Sequence, residues 1–355
     1  MAERRADASG DSGRGDPGDV LAFDVGGANV KAADGLGWVH SEPFPLWQRW
    51  RELPRVLERI VLDRRPRRVV ATMTGEIADC YPSRADGVAD IVAAVVAAAV
   101  RGDDASVGIY RVDGAIVPPD EAVAAPLRVA AANWHAVARL AATLSRRRRC
   151  LLVDVGSTTT DIVPLLDGAP GPLAHDDQGR MATGELVYTG IERTPVAALV
   201  GRLPWRGGMR PVASERFAQS QDVWLLLGAL AERPESRDTA DGGPATVDAA
   251  RRRLARMLLA DPDDVGPDEA VAMAGRCADR QARMVAGAIG RVAAALGWLP
   301  EEIVLSGHGQ CLTRRALDRL AWRPETTSLP AILGDAVSRA APAHAVAAIA
   351  RGAVP

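Results

Sequence analysis

Two short segments of this 355-residue chain follow the same pattern, and the repeat limits the folds open to the chain. In each segment a continuous apolar run ends in Asp-Val-Gly, and a second β-like run follows the turn. The two aspartates, Asp24 and Asp154, stand 130 residues apart, which is about the length of one domain. Continuous apolar runs are typical of strands buried on both faces. Because such a pattern repeated at domain spacing indicates duplicated units, we predict an α/β protein built from two related halves that face each other.

The hydrophobic periodicity outlines the elements around this repeat. Residues 1–18 are polar and rich in glycine and aspartate, which predicts a disordered tail. We place one half at 19–147 and the other at 148–355, with a loop-rich insertion at about 170–261. The predicted strands are 20–25, 30–33, 68–74, 105–112, 150–155, 158–165 and 301–306, and the predicted helices are 46–64, 86–101, 122–143, 267–296 and 341–351.

The charge of the chain argues against several classes of function. Its 43 basic and 45 acidic side chains give a net charge of −2, whereas proteins that bind nucleic acid or anionic membranes depend on an excess of Lys and Arg. The longest apolar run, at 91–100, is too short to cross a bilayer, and the four cysteines form no paired motif. We therefore expect a cytoplasmic protein with small-molecule ligands and no nucleic-acid or membrane partner, and we leave a homo-oligomer open.

The first repeat carries the only lysine of the chain, Lys31, against 42 arginines. Glycines after a buried strand let backbone N–H groups approach an anion, so we interpret Gly26, Gly27 and Asn29 as phosphate-binding residues. Asp24, at the end of the strand, can hold a hydrated Mg²⁺, and Lys31 can reach a phosphate as a point charge. An ordinary hairpin with a surface lysine would show the same pattern.

The second repeat has four consecutive hydroxyl residues between two carboxylates, Asp154 and Asp161. These hydroxyls offer donors and acceptors for phosphate and metal, although threonine also favours strands. The segment 304–312 adds a strand–glycine–helix junction. Such a junction suits an anionic or flat ligand, but a plain strand-to-helix turn would show the same pattern. We expect Asp154 and Asp161, with Asp24, to be metal ligands. The expected phosphate-binding residues of these two segments are Gly156, Ser157, Thr158, Thr159, Thr160, Gly307 and Gly309.

Polar residues outside the repeats supply candidate general bases. Glu76 and Asp79 follow the strand predicted at 68–74, where carboxylates could act as bases or metal ligands or could cap a helix. His135 lies in the helix predicted at 122–143. Because a lone histidine in an alanine-rich helix usually has structural partners, we interpret it as a structural residue rather than a switch.

Three segments in this order, Asp24–Lys31, Asp154–Asp161 and Ser306–Gly309, resemble the superfamily of actin, heat-shock chaperone ATPases and sugar kinases. In that fold two ribonuclease-H-like halves close on a nucleotide in a central cleft. The two aspartate turns also look like those of the hydantoinase/5-oxoprolinase group. With further motifs, the chain resembles one family more specifically, the tetrahydromethanopterin-linked C1-transfer pathway proteins. The archaeal relatives of that family are the condensing synthases of methanofuran biosynthesis. The resemblance covers about residues 20–350. These motifs are 74–79, 83–88, 132–136, 184–190, 193–195, 215–218 and 239–242.

The resemblance implies a transferase that joins γ-glutamyltyramine to an aminomethylfuran-methyl diphosphate, forming an aryl ether and releasing diphosphate. In that reaction Lys31, Asp154 and Mg²⁺ would neutralise the leaving group, and Glu76 or Asp79 would assist the phenol. The segment Ser306–Gly309 has fewer glycines than a typical adenosine motif, so ATP binding is left open. Two alternatives also stay open: an ATP-dependent kinase or hydantoinase/oxoprolinase-like enzyme of the same superfamily, and a non-catalytic scaffold switched by nucleotide.

Overall fold

The first half of the chain forms a mixed six-stranded sheet. The computed structural model describes residues 19–102 and 105–355, so the tail predicted at 1–18 lies outside the described residues. The strands are Val20–Val25 (β1), Asn29–Ala33 (β2), Val39–Pro43 (β3), Arg68–Met73 (β4), Ser106–Tyr110 (β5) and Ile116–Val117 (β6). Their order in the sheet is β3-β2-β1-β4-β5-β6.

The second half repeats this arrangement. Its strands are Arg149–Val155 (β7), Thr160–Leu166 (β8), Ala169–Pro170 (β9), Leu186–Val187 (β10), Arg202–Trp205 (β11), Gly208–Pro211 (β12), Glu302–Ser306 (β13) and Glu325–Ser328 (β14). The sheet order is β10-β8-β7-β13-β14 with β9 beside β8, while β11 and β12 form a separate hairpin. In both sheets an antiparallel hairpin is followed by two strands parallel to its first strand. The predicted pair of ribonuclease-H-like halves is confirmed.

Helices cover the sheets and connect them. They are Leu46–Arg49 (α1), Leu53–Arg64 (α2), Arg84–Arg101 (α3), Pro119–Ala124 (α4), Asn133–Leu144 (α5), Asp177–Thr183 (α6), Val196–Leu199 (α7), Ser220–Leu226 (α8), Val247–Arg256 (α9), Pro267–Leu296 (α10), Gln310–Leu317 (α11), Leu329–Leu333 (α12), Asp335–Arg339 (α13) and Ala341–Ala350 (α14). Short 3₁₀ turns lie at Trp50–Glu52, Pro126–Arg128 and Pro262–Asp264. Within the described part of the chain, no helix is both long enough and apolar enough to cross a membrane.

Two helices link the halves. The small side chains of α14 pack on β1 and β4 of the first sheet, where Ala347 belongs to the same buried cluster as Val70. On α5, Val137 belongs to a buried cluster with Leu152 of the second sheet. The C-terminal helix therefore completes the core of the N-terminal sheet. The boundary between the two halves at residues 147 and 148 stays a prediction.

The structure corrects the helix predicted at 122–143. The chain forms α4, a 3₁₀ turn and a left-handed turn at Ala131 (φ 48°) before α5 begins at Asn133. Pro126 has no amide N–H and disfavours the helical conformation of the residue before it, so one continuous helix cannot form. The helix predicted at 46–64 is likewise interrupted at Trp50–Glu52. The strands β3 and β14 were not predicted because they lack an apolar alternation.

Candidate active site

Both repeats fold into the same turn. The N–H of Gly26 donates to the carbonyl of Asn29, and the N–H of Gly156 donates to the carbonyl of Thr159, each at 3.0 Å. The two turns lie at the carboxyl ends of β1 and β7 and line one cleft of about 680 Å³. The structure therefore brings together most of the phosphate-binding candidates of the two repeats, namely Gly26, Gly27, Asn29, Gly156, Ser157, Thr158 and Thr159.

The strand register places a pair of ionisable residues inside each hairpin. Asp24 lies directly opposite Lys31, and Asp154 lies directly opposite Asp161. Lys31 Nζ is 3.5 Å from Asp24 Oδ2, and Arg180 Nη2 is 2.9 Å from Asp161 Oδ1. Because like charges directly opposite destabilise a hairpin, the Asp154–Asp161 pair does not serve folding. Asp154 is left without an ion-pair partner among the described residues.

Burial raises the pKa of these carboxyl groups. Burial, together with the charge of the neighbouring Asp161, raises the pKa of Asp154 to about 7. Burial also raises the pKa of Asp24 and of Asp161, while Lys31 and Arg180 oppose the shift at their respective partners. A nearby cation stabilises the ionised form of a buried carboxyl group whose pKa is raised. The end of the cleft formed by the two hairpins is therefore suited to a bound cation.

Carboxylates outnumber basic side chains along the cleft. The lining acids are Asp24, Glu76, Asp79, Asp154, Asp161, Asp177 and Glu192, and the lining Lys and Arg residues are Lys31, Arg180, Arg193, Arg233 and Arg339. Turns that present N–H groups and hydroxyls suit an anion, yet the side chains around them carry an excess of negative charge. A phosphate ligand would therefore require further positive charge beside it.

The three predicted metal ligands fit a cation that is shared with a phosphate group. In the described ranges, no three Asp, Glu, His or Cys side chains converge closely enough to form a complete metal cage. Mg²⁺ is typically held by one or two carboxylates, water and substrate phosphates rather than by such a cage. Asp24 Oδ1 is buried and has no hydrogen-bond partner among the described residues, and Asp24 lines the same cleft as Asp154 and Asp161. These oxygens would suit Mg²⁺.

Two of the predicted phosphate-binding residues, Thr160 and Gly309, do not line the cleft. Thr160 is buried, and its hydroxyl donates to a backbone carbonyl at 2.7 Å. A Cβ at Gly309 would lie 2.3 Å from Val155 Cγ1, so this glycine permits close packing behind the second turn. Gly307 does line the cleft; its φ is 74°, and a Cβ there would lie 2.5 Å from Asp154 Oδ1.

The candidate bases Glu76 and Asp79 line the cleft beside the first turn. The N–H groups of Thr74 and Gly75 both donate to the carbonyl of Val25 at 3.0 Å, which fixes the segment to β1. Glu76 is 1% exposed, and burial raises its pKa to about 7. Its carboxyl group can therefore exchange a proton near neutral pH.

Replacing Gly87 with alanine should displace Glu76. A Cβ at Gly87 would lie 2.2 Å from the backbone oxygen of Glu76, and a backbone atom cannot move aside as a flexible side chain would. We expect the variant to lose about 1–3 kcal/mol of stability, as overpacked sites do, and to lose activity. Urea unfolding and a turnover assay measure the two effects. Gly275→Ala, where a Cβ meets nothing within 4 Å, is the control, and equal behaviour of the two variants would contradict the prediction.

The sequence patterns did not reveal Arg180 or the aromatic lining of the cleft. Arg180 lies on α6, is 1% exposed, and its Cζ is 3.9 Å from the ring centre of Trp134. Trp47 and Tyr188 also line the cleft. The motifs at 132–136 and 184–190 contain Trp134 and Tyr188, but their place beside Arg180 in one cleft depends on contacts between segments far apart in the chain.

His135 is a structural residue, as predicted. Its Nδ1 is hydrogen-bonded to the hydroxyl of Tyr110 at 2.8 Å. Burial lowers the pKa of His135 to about 4, so the ring is neutral at physiological pH and does not titrate there.

Without a bound cation, the free energy of unfolding should fall between pH 6.5 and pH 8. Glu76 and Asp154 have pKa values of about 7 in the folded chain, against ordinary values of 4.5 and 3.8. Their raised pKa values favour folding at low pH, and this contribution is lost as the pH rises through 7. Between pH 6.5 and pH 8, each group should lower the free energy of unfolding by roughly 1 kcal/mol. The pKa values of His135 and His308 are lowered to about 4, mainly by burial, so these rings oppose the trend only below about pH 6.5. Urea titrations across this range measure the slope. Mg²⁺ with diphosphate should flatten it, and a stability that rises with pH would contradict the prediction.

The chain is similar to two curated archaeal proteins, both named (4-{4-[2-(gamma-L-glutamylamino)ethyl]phenoxymethyl}furan-2-yl)methanamine synthase. The protein from Methanocaldococcus jannaschii is 32% identical over 332 residues, covering 92% of this chain and 96% of that protein. The protein from Methanococcus vannielii is 31% identical over 201 residues, covering 56% of this chain and 89% of that protein.

Among solved structures, a nucleotide-free acetone carboxylase matches 93% of this chain and 70% of its own, with a TM-score of 0.51 and 11% identity. An inorganic polyphosphate/ATP-glucomannokinase from Arthrobacter sp. strain KM matches 94% of this chain and 98% of its own, with a TM-score of 0.44 and 14% identity. The similarity to acetone carboxylase agrees with the two-sheet fold described above. The sequence model of the hydantoinase/oxoprolinase family matches residues 67–313, which is more than half of the chain. On these grounds the chain belongs to the hydantoinase/oxoprolinase family and, within it, groups with the two archaeal methanamine synthases.

Proposed function

We propose that this protein is a transferase of methanofuran-type cofactor biosynthesis that joins an aminomethylfuran-methyl diphosphate to the phenol of γ-glutamyltyramine. The name of the M. jannaschii relative describes an aryl ether between a phenol and a furan-methyl carbon. The observation that supports the proposal best is that two phosphate-type turns and Lys31 share one cleft with Trp47, Trp134 and Tyr188. Such a cleft combines groups for a diphosphate with flat surfaces for two aromatic substrates.

The bond changes are simple. The phenol oxygen forms a bond to the furan-methyl carbon, and the bond between that carbon and the diphosphate oxygen breaks. The electron pair of the broken bond leaves with diphosphate, and the phenol proton passes to a carboxylate, for which Glu76 and Asp79 are the candidates. Because the furan ring stabilises positive charge on the reacting carbon, neutralising the leaving group is the main task of the protein.

Lys31 and the turn N–H groups would stabilise the charge that develops on diphosphate. Mg²⁺ bound by Asp24, Asp154 or Asp161 would supply Lewis-acid stabilisation of the same charge. Arg180 would hold Asp161 in place and keep its carboxylate ionised, because the two form a close ion pair. The apolar and aromatic lining would exclude water, which would otherwise compete with the phenol for the reacting carbon.

A thermal-shift panel separates this function from that of an ATP-dependent enzyme. With Mg²⁺ present, we expect diphosphate and a furfuryl diphosphate to raise the melting temperature by several degrees, since a ligand that binds only the folded state stabilises it. ATP and ADP should raise it by less. A larger shift with ATP, together with Mg²⁺-dependent ATP hydrolysis, would refute the proposal and favour a kinase-like or oxoprolinase-like activity. Polymerisation that depends on nucleotide would instead indicate a scaffold.

A further inference from the structure

Among the acids that line the cleft, Glu76 is the most deeply buried one that forms no ion pair within the described part of the chain. Its side chain lines the cleft, it is 1% exposed, and its Oε2 has no hydrogen-bond partner in the described chain. A buried carboxylate without a partner costs free energy, so one that persists requires an explanation. This unpartnered oxygen belongs to a residue that lines the cleft, so it is available to a ligand that reaches it.

The acids around Glu76 are already neutralised. Asp177 is paired with Arg84 at 2.9 Å, and Asp161 is paired with Arg180 at 2.9 Å. Burial is the main cause of the raised pKa of Glu76 and the charge of Asp177 adds to it, while backbone N–H groups and the charge of Arg84 oppose the shift only in part. Arg84 and Arg180 therefore form their ion pairs with other carboxylates, and none of the ion pairs of the described residues includes Glu76.

The position of Glu76 relative to the first turn indicates which ligand would carry a positive charge next to it. Thr74 and Gly75 are hydrogen-bonded to the carbonyl of Val25, the residue that precedes the turn. Glu76 follows directly and lines the cleft together with Gly26 and Trp134. A diphosphate substrate that lies on the turn therefore shares the cleft with this carboxylate, and a cationic group on that substrate would supply the charge.

We propose that Glu76 binds the primary ammonium group of the furan donor and selects donors that carry it. The inference rests on the proposed function, since it assumes a diphosphate on the first turn. Glu76 is then a substrate-binding residue that contacts the aminomethyl end of the donor, and Asp79 is left to accept the phenol proton. A charged hydrogen bond of this kind, in a site shielded from water, discriminates strongly against a neutral analogue.

The test compares two donors in the wild-type protein and in Glu76→Gln. One donor is the aminomethylfuran-methyl diphosphate, and the other carries methyl in place of aminomethyl. By diphosphate release, we expect the wild type to prefer the amine donor by about 100-fold in kcat/KM, and Glu76→Gln to reduce this preference to about threefold or less. The loss should come from the amine donor alone. Glu121→Gln, which changes an exposed acid paired with Arg111 outside the cleft, should keep the preference.

Several results would overturn the proposal. Equal losses with both donors would indicate a base or a purely structural role, and an unchanged preference would exclude Glu76 from donor selection. The glutamyl end of the acceptor also carries a primary ammonium. If an acceptor without that group removes the effect of Glu76→Gln, the residue binds the acceptor instead. Because glutamine has nearly the same size and removes a buried charge, the variant should melt no lower than the wild type.

A second measurement keeps this proposal separate from the transferase activity. Furfurylamine should raise the melting temperature of the wild type, furfuryl alcohol should not, and Glu76→Gln should respond to neither. If the wild type releases no diphosphate from any donor but shows this pattern, the proposed function fails and the ammonium site stands. If furfurylamine and furfuryl alcohol act alike on the wild type, the ammonium site is disproved whatever the enzyme activity.

Discussion

Replacing Lys31 with alanine should lower the rate of diphosphate release by about 10³-fold, which is the size of effect expected for a preorganised charge in a water-excluded site. Lys31 is the one basic residue placed on either hairpin directly opposite a site aspartate. Its removal also leaves Asp24 without its partner at 3.5 Å. Because burial already raises the pKa of Asp24, we expect that carboxyl group to take up a proton in the variant. The variant should therefore stay folded. A turnover assay at saturating donor, with circular dichroism to verify folding, measures the effect.

The composition of the chain allows a second test of Lys31 by chemical labelling. Lys31 is the only lysine in the sequence, so reductive methylation can label one side-chain amine. Diphosphate with Mg²⁺ should slow this labelling, and a label at Lys31 should reduce turnover. Lys31→Arg retains the charge with a different shape and should recover part of the rate. Full activity of Lys31→Ala would remove Lys31 from the site.

Asp154→Asn should have opposite effects on activity and on stability. Asp154 lies opposite Asp161 and forms no ion pair among the described residues, and burial is the main cause that raises its pKa to about 7. At pH 8 the substitution removes a buried charge and a like-charge contact, so we expect the protein without ligands to melt a few degrees higher. Turnover should fall by about 10³-fold, because the substitution removes an expected metal ligand. Sites that are strained for function commonly show this exchange of stability for activity.

The matched control is Asp161→Asn on the neighbouring strand. This substitution leaves Arg180, which is 1% exposed, without its carboxylate. Removing one partner of a buried ion pair costs about 3–5 kcal/mol, so this variant should melt lower than the wild type. Differential scanning calorimetry of the two variants therefore gives shifts of opposite sign. If both variants melted lower than the wild type, the charge of Asp154 would be compensated in the folded chain, and the predicted gain in stability would be wrong.

The features predicted correctly from the sequence are those encoded locally. The two turns can be recognised because strand, glycine and carboxylate follow one another within a few residues. The register that sets Asp24 opposite Lys31 and Asp154 opposite Asp161 was not predicted and is seen in the structure. The helix at Pro267–Leu296 is predicted with its observed bounds, since a Pro at its start and Gly297 after its end mark both termini.

The features that were missed depend on contacts between distant segments. Arg180, on α6, contacts Asp161 on β8 and Trp134 on α5, which are other elements of the fold. The packing of α14 on the first sheet follows from small alanine side chains that give no directional signal in the sequence. Thr160 and Gly309 belong to real motifs, but the pleat turns the Thr160 side chain inward, and Gly309 supports the turn from behind. Neither orientation follows from residue type alone.

One turnover experiment tests the proposed transferase activity most directly. The purified protein is incubated with Mg²⁺, an aminomethylfuran-methyl diphosphate and γ-glutamyltyramine, with no nucleotide present. Free diphosphate is then measured alongside the ether product by mass spectrometry. We predict that diphosphate and ether form in equal amounts and that omitting the phenol stops both. Failure to form the ether without nucleotide, with product appearing only when ATP is added and hydrolysed, would contradict the proposed activity.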